Sequence, residues 1–101
     1  MKNFSMIVHT SLQQELSDLL RSLDLDSFMF SHVEEHSAQQ ENDILLSARD
    51  RVVGYVPKVR VDVILEDERA MSLLDEINQS NISFKGRAMY WITAIEKTGE
   101  L

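Results

Sequence analysis

The run Lys58–Glu66, KVRVDVILE, constrains this chain most. Val59, Val61, Val63 and Leu65 alternate with Arg60, Asp62 and Ile64, and an alternation of period two is satisfied only by an extended strand with one apolar and one mixed face. A strand of this kind must pair on both edges or cover them, so the rest of the chain is expected to supply a sheet.

Other strands are legible around it. Residues 4 to 9 place Phe4, Met6 and Val8 against Ser5, Ile7 and His9, apolar on both sides, which predicts a first strand buried on more than one face. Leu12, Leu16, Leu19, Leu20 and Leu23 follow at spacings of three and four, the stripe of a helix running to about residue 23 and packing on that sheet. Thr10 and Ser11, each with a glutamine three residues on, predict a capping box at its start. After the turn residues Asp24 and Asp26, SFMFSHVEE from Ser27 to Glu35 reads as a second strand. Glu66, Asp67 and Glu68 suit the first turn of a second helix, whose buried face is Ala70, Leu73, Leu74 and Ile77 and whose end falls near Ser80 and Asn81. A turn at Lys85, Gly86 and Arg87 leads into AMYWITAI, a fourth strand with Tyr90 and Ile92 on one side and Met89, Trp91 and Ile95 on the other.

The order strand, helix, strand, strand, helix, strand predicts an α+β fold, a ferredoxin-like βαββαβ sandwich in which both helices cover one face of a four-stranded antiparallel sheet. At 101 residues one domain, 1–101, is expected, burying roughly 65% of its unfolded surface and leaving little room for a large private cavity. The second sheet face combines apolar residues of the first and fourth strands with Arg60 and Asp62. It is too apolar to leave in water, so oligomerisation through it is expected.

Composition narrows function. Ten Lys and Arg against seventeen Asp and Glu give a net charge of -7, which disfavours nucleic acid and anionic membranes as partners. The absence of cysteine removes disulfides and thiolate chemistry. Neither a signal-peptide pattern nor an apolar run near the roughly 20 residues of a membrane span is present, so a cytoplasmic location without membrane insertion is expected.

Residues 37–53 form a long, polar connection with little periodicity, the kind of segment that is usually functional or disordered. Ile44, Leu45 and Leu46 within it suit a docking anchor or a segment folded against the core. At its root His32, Glu34 and His36 recur with period two, which projects imidazoles and a carboxylate from one strand face as ligands for zinc, copper or nickel; polar strand ends of this kind are also ordinary. Arg49, Arg51 and Lys58 flank the connection, and with Arg87 and Lys97 they make half of the basic residues. They suit an anionic effector, or surface ion pairs with Glu41, Asp43 and Asp50.

The opening strand with the LQQELSDLL helix, the segment FMFSHVEEHS, the stretch DRVVGYVPKVRVDVIL and the closing GRAMYWITAIEKTGEL resemble, in that order and spacing, the PII-like proteins of the nitrogen-regulatory and CutA-like superfamily. Within it the resemblance is to a small branch found beside heavy-metal efflux systems. The resemblance implies a homotrimer, effector sites in clefts between subunits, and a loop, here 37–53, that reaches a partner protein such as a membrane transporter. It implies effector contacts at Gly86, Arg87, Lys97 and Gly99 beside Arg49, Arg51 and Lys58, and it favours His36 among the metal candidates. The chain departs from the nucleotide-binding pattern: the glycine-rich turn is reduced to Gly86 and Arg87, the closing basic pair to Lys97, and Tyr55 lies at the loop's far edge. No nucleophile elbow, phosphate loop or paired metal motif appears, so a non-enzyme is expected. The alternative is a dimeric ferredoxin-like enzyme of the monooxygenase or isomerase type, with His9, Tyr90 and Trp91 in a cleft beneath the sheet.

Overall fold

The alternating run becomes the interior strand that its pattern requires. A computed structural model of the chain describes residues 1–37 and 54–101; the Ile44–Leu46 triplet, Arg49, Arg51 and nearly all of the 37–53 connection lie outside the described residues. The elements are β1 (Lys2–His9), a single 3-10 turn (Thr10–Leu12), α1 (Gln13–Ser22), β2 (Met29–Glu35), β3 (Val56–Leu65), α2 (Asp67–Asn78) and β4 (Ala88–Ala94). They form a four-stranded sheet of order β2-β3-β1-β4, antiparallel at every pairing, with two helices: the expected ferredoxin-like α+β arrangement.

Register assigns the faces. Phe4, Met6 and Val8 pair with Val63, Val61 and Val59 on one side and with Ile92, Tyr90 and Ala88 on the other, and these positions share the face under the helices. Leu12, Leu16 and Leu20 from the first helical segment and Ala70, Leu73 and Ile77 from α2 close over them, all buried. The two periodicities, two along the strands and about 3.6 along the helices, meet in one core.

Local details differ from expectation. The capping box does not form: the 3-10 turn displaces the start of α1 to Gln13, its N-cap is Leu12, and Leu12 has no side-chain cap. His9 does the capping instead, its Nδ1 accepting from the Ser11 amide at 3.1 Å. β2 starts at Met29, where pairing with β3 begins at Asp62, so Ser27 and Phe28 precede the strand. Phe28 instead packs edge-on against Phe30, with ring centroids 5.7 Å apart. β3 extends back to Val56, and β4, as an edge strand, leaves Met89 and Tyr90 more than half exposed.

Candidate functional site

Two regions of this sheet carry chemistry. The first is the face that the helices leave uncovered. Alternation and register set Met29, Asp62, Ser5 and Trp91 side by side across the four strands, and Ser31, Arg60, Ile7 and Met89 in the next row. Arg60 reaches across β1 and lies over the Trp91 ring at 5.1 Å, a cation–π contact. Its Nε and Nη2 also donate to the two carboxylate oxygens of Asp62 at 2.9 and 3.1 Å, the fork-on-carboxylate geometry that arginine favours. Asp62 accepts further from the Ser5 hydroxyl at 2.8 Å and the Asn3 amide at 3.3 Å.

This cluster forms a lid, and Ser5 beneath it is fully buried although it sits on the uncovered face. Burial pushes the Asp62 carboxyl up, yet the hydrogen bonds from Arg60, Ser5 and Asn3, with the guanidinium charge, outweigh it and hold the group below the ordinary carboxylate value. The Asn3 Oδ1 is buried without a hydrogen-bond partner among the described residues. Ile64 and Met89 stand exposed at the margins of the lid. A face with an aromatic and aliphatic surround, a satisfied charge pair and an orphan acceptor has the composition of an interface core more than of a solvated surface.

The second region is the end of the sheet from which β2 leaves and β3 returns. β1 and β2 both finish there, and β3 and β4 start there, so antiparallel pairing brings together His9, Glu34, Glu35, His36, Lys58 and Arg87. On the helix side the His36 Nε2 lies 3.0 Å from Glu34 Oε1, and its ring tilts against Tyr55 with centroids 5.6 Å apart. On the other side Lys58, only 14% exposed, lies across from His9 in the register and has its Nζ 3.9 Å from Glu35 Oε1.

Arg87 is held by its neighbours. Its Nη2 donates to the Ser83 carbonyl at 2.7 Å and its Nη1 reaches the Ser11 hydroxyl at 3.4 Å, while its own carbonyl accepts from the His9 amide at 2.9 Å. Gly86 makes the turn possible with φ at +69°, in the left-handed region that side-chain-bearing residues avoid.

The structure therefore joins part of each expected residue set. His36 and Glu34 meet, but His32 stands exposed opposite Val59, and among the described residues no three His, Cys, Asp or Glu are grouped so as to hold a metal ion. Lys58, Gly86 and Arg87 share the loop end, whereas Lys97 and Gly99 follow β4 at the opposite end, where the Ile95 amide bonds to the Met1 carbonyl at 3.0 Å. Seven residues of β4 separate the two groups, roughly 24 Å of strand. Tyr90 and Trp91, adjacent in a strand, point to opposite sides of the sheet; Tyr90 stacks on Phe4 beneath the helices and Trp91 lies under Arg60. No single cleft can gather both.

Sequence reading missed the lid and the capping role of His9. Asn3 and Ser5 sit at period two beside Phe4 and Met6, and with Arg60 and Asp62 on the matching face of β3 that polar stripe was the available signal.

Comparison with known proteins adds an independent line. The chain is similar to the nitrogen regulatory protein P-II of Rhizobium meliloti (strain 1021), 24% identical over 106 residues that span 99% of this chain and 95% of that one. Its fold is similar to the crystal structure of a DUF3240 family protein from Shewanella baltica OS155, with a TM-score of 0.69, 17% identity and coverage of 99% and 94%. Residues 2–101 match the model of the family described as protein of unknown function DUF3240, and the chain belongs to that family.

Proposed function

We propose that this chain is a PII-like regulatory protein of one domain, a homotrimer assembled through the uncovered sheet face, which binds a small effector at subunit clefts and contacts a partner protein through residues 37–53. The similarity to a P-II protein across nearly the whole chain carries this reading. Two features of the geometry support it. The lid of Arg60, Asp62 and Trp91 with the orphan acceptor of Asn3 is a surface suited to a second copy. The basic residues implied for the effector are divided between the two ends of one sheet, so a site using Lys58, Gly86, Arg87 and the flanking Arg49 and Arg51 together with Lys97 and Gly99 would draw its halves from neighbouring subunits.

The effector is an anionic metabolite or nucleotide at that cleft, or a divalent transition metal at His36 and Glu34 with His32 or another group completing the shell. The partner is a membrane transporter of the metal-efflux kind implied by the branch that the sequence resembles, and the setting is cytoplasmic. Among the described residues no helix is long and apolar enough to cross a membrane.

Light scattering at micromolar concentration tests the assembly: three times the 11.6 kDa chain mass is expected. A monomer defeats the interface argument, and a dimer moves the weight to a small enzyme. Calorimetric titration of adenine nucleotide into wild type, Arg87→Ala and Lys97→Ala tests the cleft, where loss of binding in both variants is expected. Equal binding by all three proteins removes that site.

A further inference from the structure

A groove of about 430 Å³ runs between α1 and β2; it touches the loop-end region only at Thr10 and Ser11 and extends from there along α1 to Arg21. Its lining is chemically mixed in a particular way: hydroxyl residues Thr10, Ser11 and Ser17, amides from Gln13 and Gln14, one cation, Arg21, and one aromatic ring, Phe30. Gln13, Ser17 and Arg21 are spaced by four, so they rise along a single face of α1, opposite Phe30 on the strand.

Ser17 is the telling residue. It is 7% exposed overall, yet its hydroxyl is not sealed from solvent: it opens into the groove, where water reaches it. A serine in a helix either bonds back to its own preceding turn or turns outward, and Ser22 and Ser72 bond back here, to the carbonyls of Leu19 and Arg69. Ser17 instead turns its hydroxyl into the groove, where a ligand's hydroxyl can replace the water on it. Arg21 is similarly uncommitted. Its side chain is 68% exposed, and its Nη1 comes no closer than 4.0 Å to Asp18, whose carboxylate already accepts from Gln14 at 2.9 Å.

We propose that this groove binds a sugar phosphate. The phosphate oxygens take the guanidinium fork of Arg21, the sugar hydroxyls exchange hydrogen bonds with Ser17 and Gln13, and the apolar face of the sugar ring lies on Phe30. A bare anion suits the lining less well, because one arginine with Asp18 beside it gives little net positive field while most of the lining groups are neutral donors and acceptors. A metal ion has no carboxylate or imidazole there to bind.

Amide shift titration of the full chain with ribose 5-phosphate as the probe, and with ribose and inorganic phosphate as separate arms, tests the proposal. Saturable shifts centred on residues 10–21 and Phe30, with a Kd below about 1 mM, are expected. Ribose and phosphate alone are each expected to bind at least about tenfold more weakly, Arg21→Gln to weaken ribose 5-phosphate about tenfold, and Ser17→Ala several-fold. Unchanged amide positions in β3 show that the variants keep the fold. The proposal is overturned by no saturable shift up to about 10 mM, by unweakened binding in both variants, or by inorganic phosphate matching ribose 5-phosphate, which leaves an adventitious ion only. Because Ser11 bonds to both His9 and Arg87, the discriminating positions are those further away: shifts at Lys58 and Gly86 with Ser17, Arg21 and Phe30 unmoved would report the loop-end cleft and overturn the groove, so the two sites fail or succeed separately.

Discussion

The two faces of the sheet are made by the same four strands, one residue out of step, and they solve opposite problems. Under the helices, Phe4, Met6, Val8, Val59, Val61 and Val63 are all essentially removed from water and contain no polar side-chain atom that needs a partner. On the other face, Ser5, Arg60, Asp62 and Trp91 are also close-packed, but through an ion pair, hydrogen bonds and a cation–π contact that tolerate water at their margin. The first arrangement stabilises by area and shape and carries no titrating group. The second contributes less stability and more orientation, since a forked charge pair holds its geometry where aliphatic side chains would slide. Alternate residues of one strand thus divide the work: one set builds the core, and the other would carry the proposed assembly.

The largest effect that would break this contrast is on the covered face. Leu16→Ala removes a fully buried side chain between α1 and the sheet, and a loss of about 2–5 kcal/mol in denaturant unfolding, read as a lower midpoint at unchanged slope, is expected. A loss under about 1 kcal/mol would mean that the helices are not the principal cover.

Asp62→Ala strikes the uncovered face and should cost less, about 1–2 kcal/mol, because Arg60 remains more than a third exposed and water can replace part of the pair. It is also expected to reduce the native mass by light scattering, which Leu16→Ala should not do at temperatures where it stays folded. The pH dependence has a definite sign. The folded carboxyl titrates below its unfolded value of about 3.9, so its contribution is complete well above pH 4 and is lost as pH falls through the folded value. The stability gap between wild type and Asp62→Asn should therefore be constant near neutrality and shrink in acid; a gap that widened on acidification would reverse the assignment.

The covered face was legible because hydrophobic periodicity reports burial directly: KVRVDVILE and the leucine stripe named both the elements and the core. The uncovered face was half legible. Its apolar residues and its charges were visible, but that Arg60 crosses a whole strand to reach Trp91 depends on register between β1, β3 and β4, and register is a property of pairing that no single strand's pattern contains. Element ends were read less well for the same reason. The capping box of Thr10 and Ser11 was a sound local signal, yet the 3-10 turn consumed those residues and passed the cap to His9. At the loop end the spacing of His32, Glu34 and His36 promised a shared strand face, but β2 stops at Glu35, so His36 is free to turn toward Tyr55 and Glu34 while His32 stays with the ladder.

Between the faces lies the rim, where smaller effects are expected. Gly86→Ala forces a side chain into the left-handed turn before β4 and should cost roughly 1–2 kcal/mol, displacing Arg87 from Ser11 and Ser83 as it does so. A neutral outcome would show that the turn relaxes freely and that Arg87 is not fixed by it.

The smallest effect expected on stability is at the His36–Glu34 pair, and there the measurement separates structure from function. Both side chains are well over half exposed, so solvent screens their interaction and Glu34→Ala should change unfolding free energy by less than about 1 kcal/mol. A ligand that binds only the folded chain raises stability in proportion to the logarithm of its concentration over its Kd, by about 2.7 kcal/mol at a hundredfold excess. If the pair anchors a divalent metal, zinc, copper or nickel should raise the Tm of wild type by much more than the pair itself contributes, and His36→Ala should abolish that rise. Acidification should do the same, because coordination requires the neutral imidazole. A Tm unmoved by any of the three metals, or moved equally in both proteins, would reduce the pair to an exposed contact at a strand end and leave the anionic cleft as the effector site to pursue.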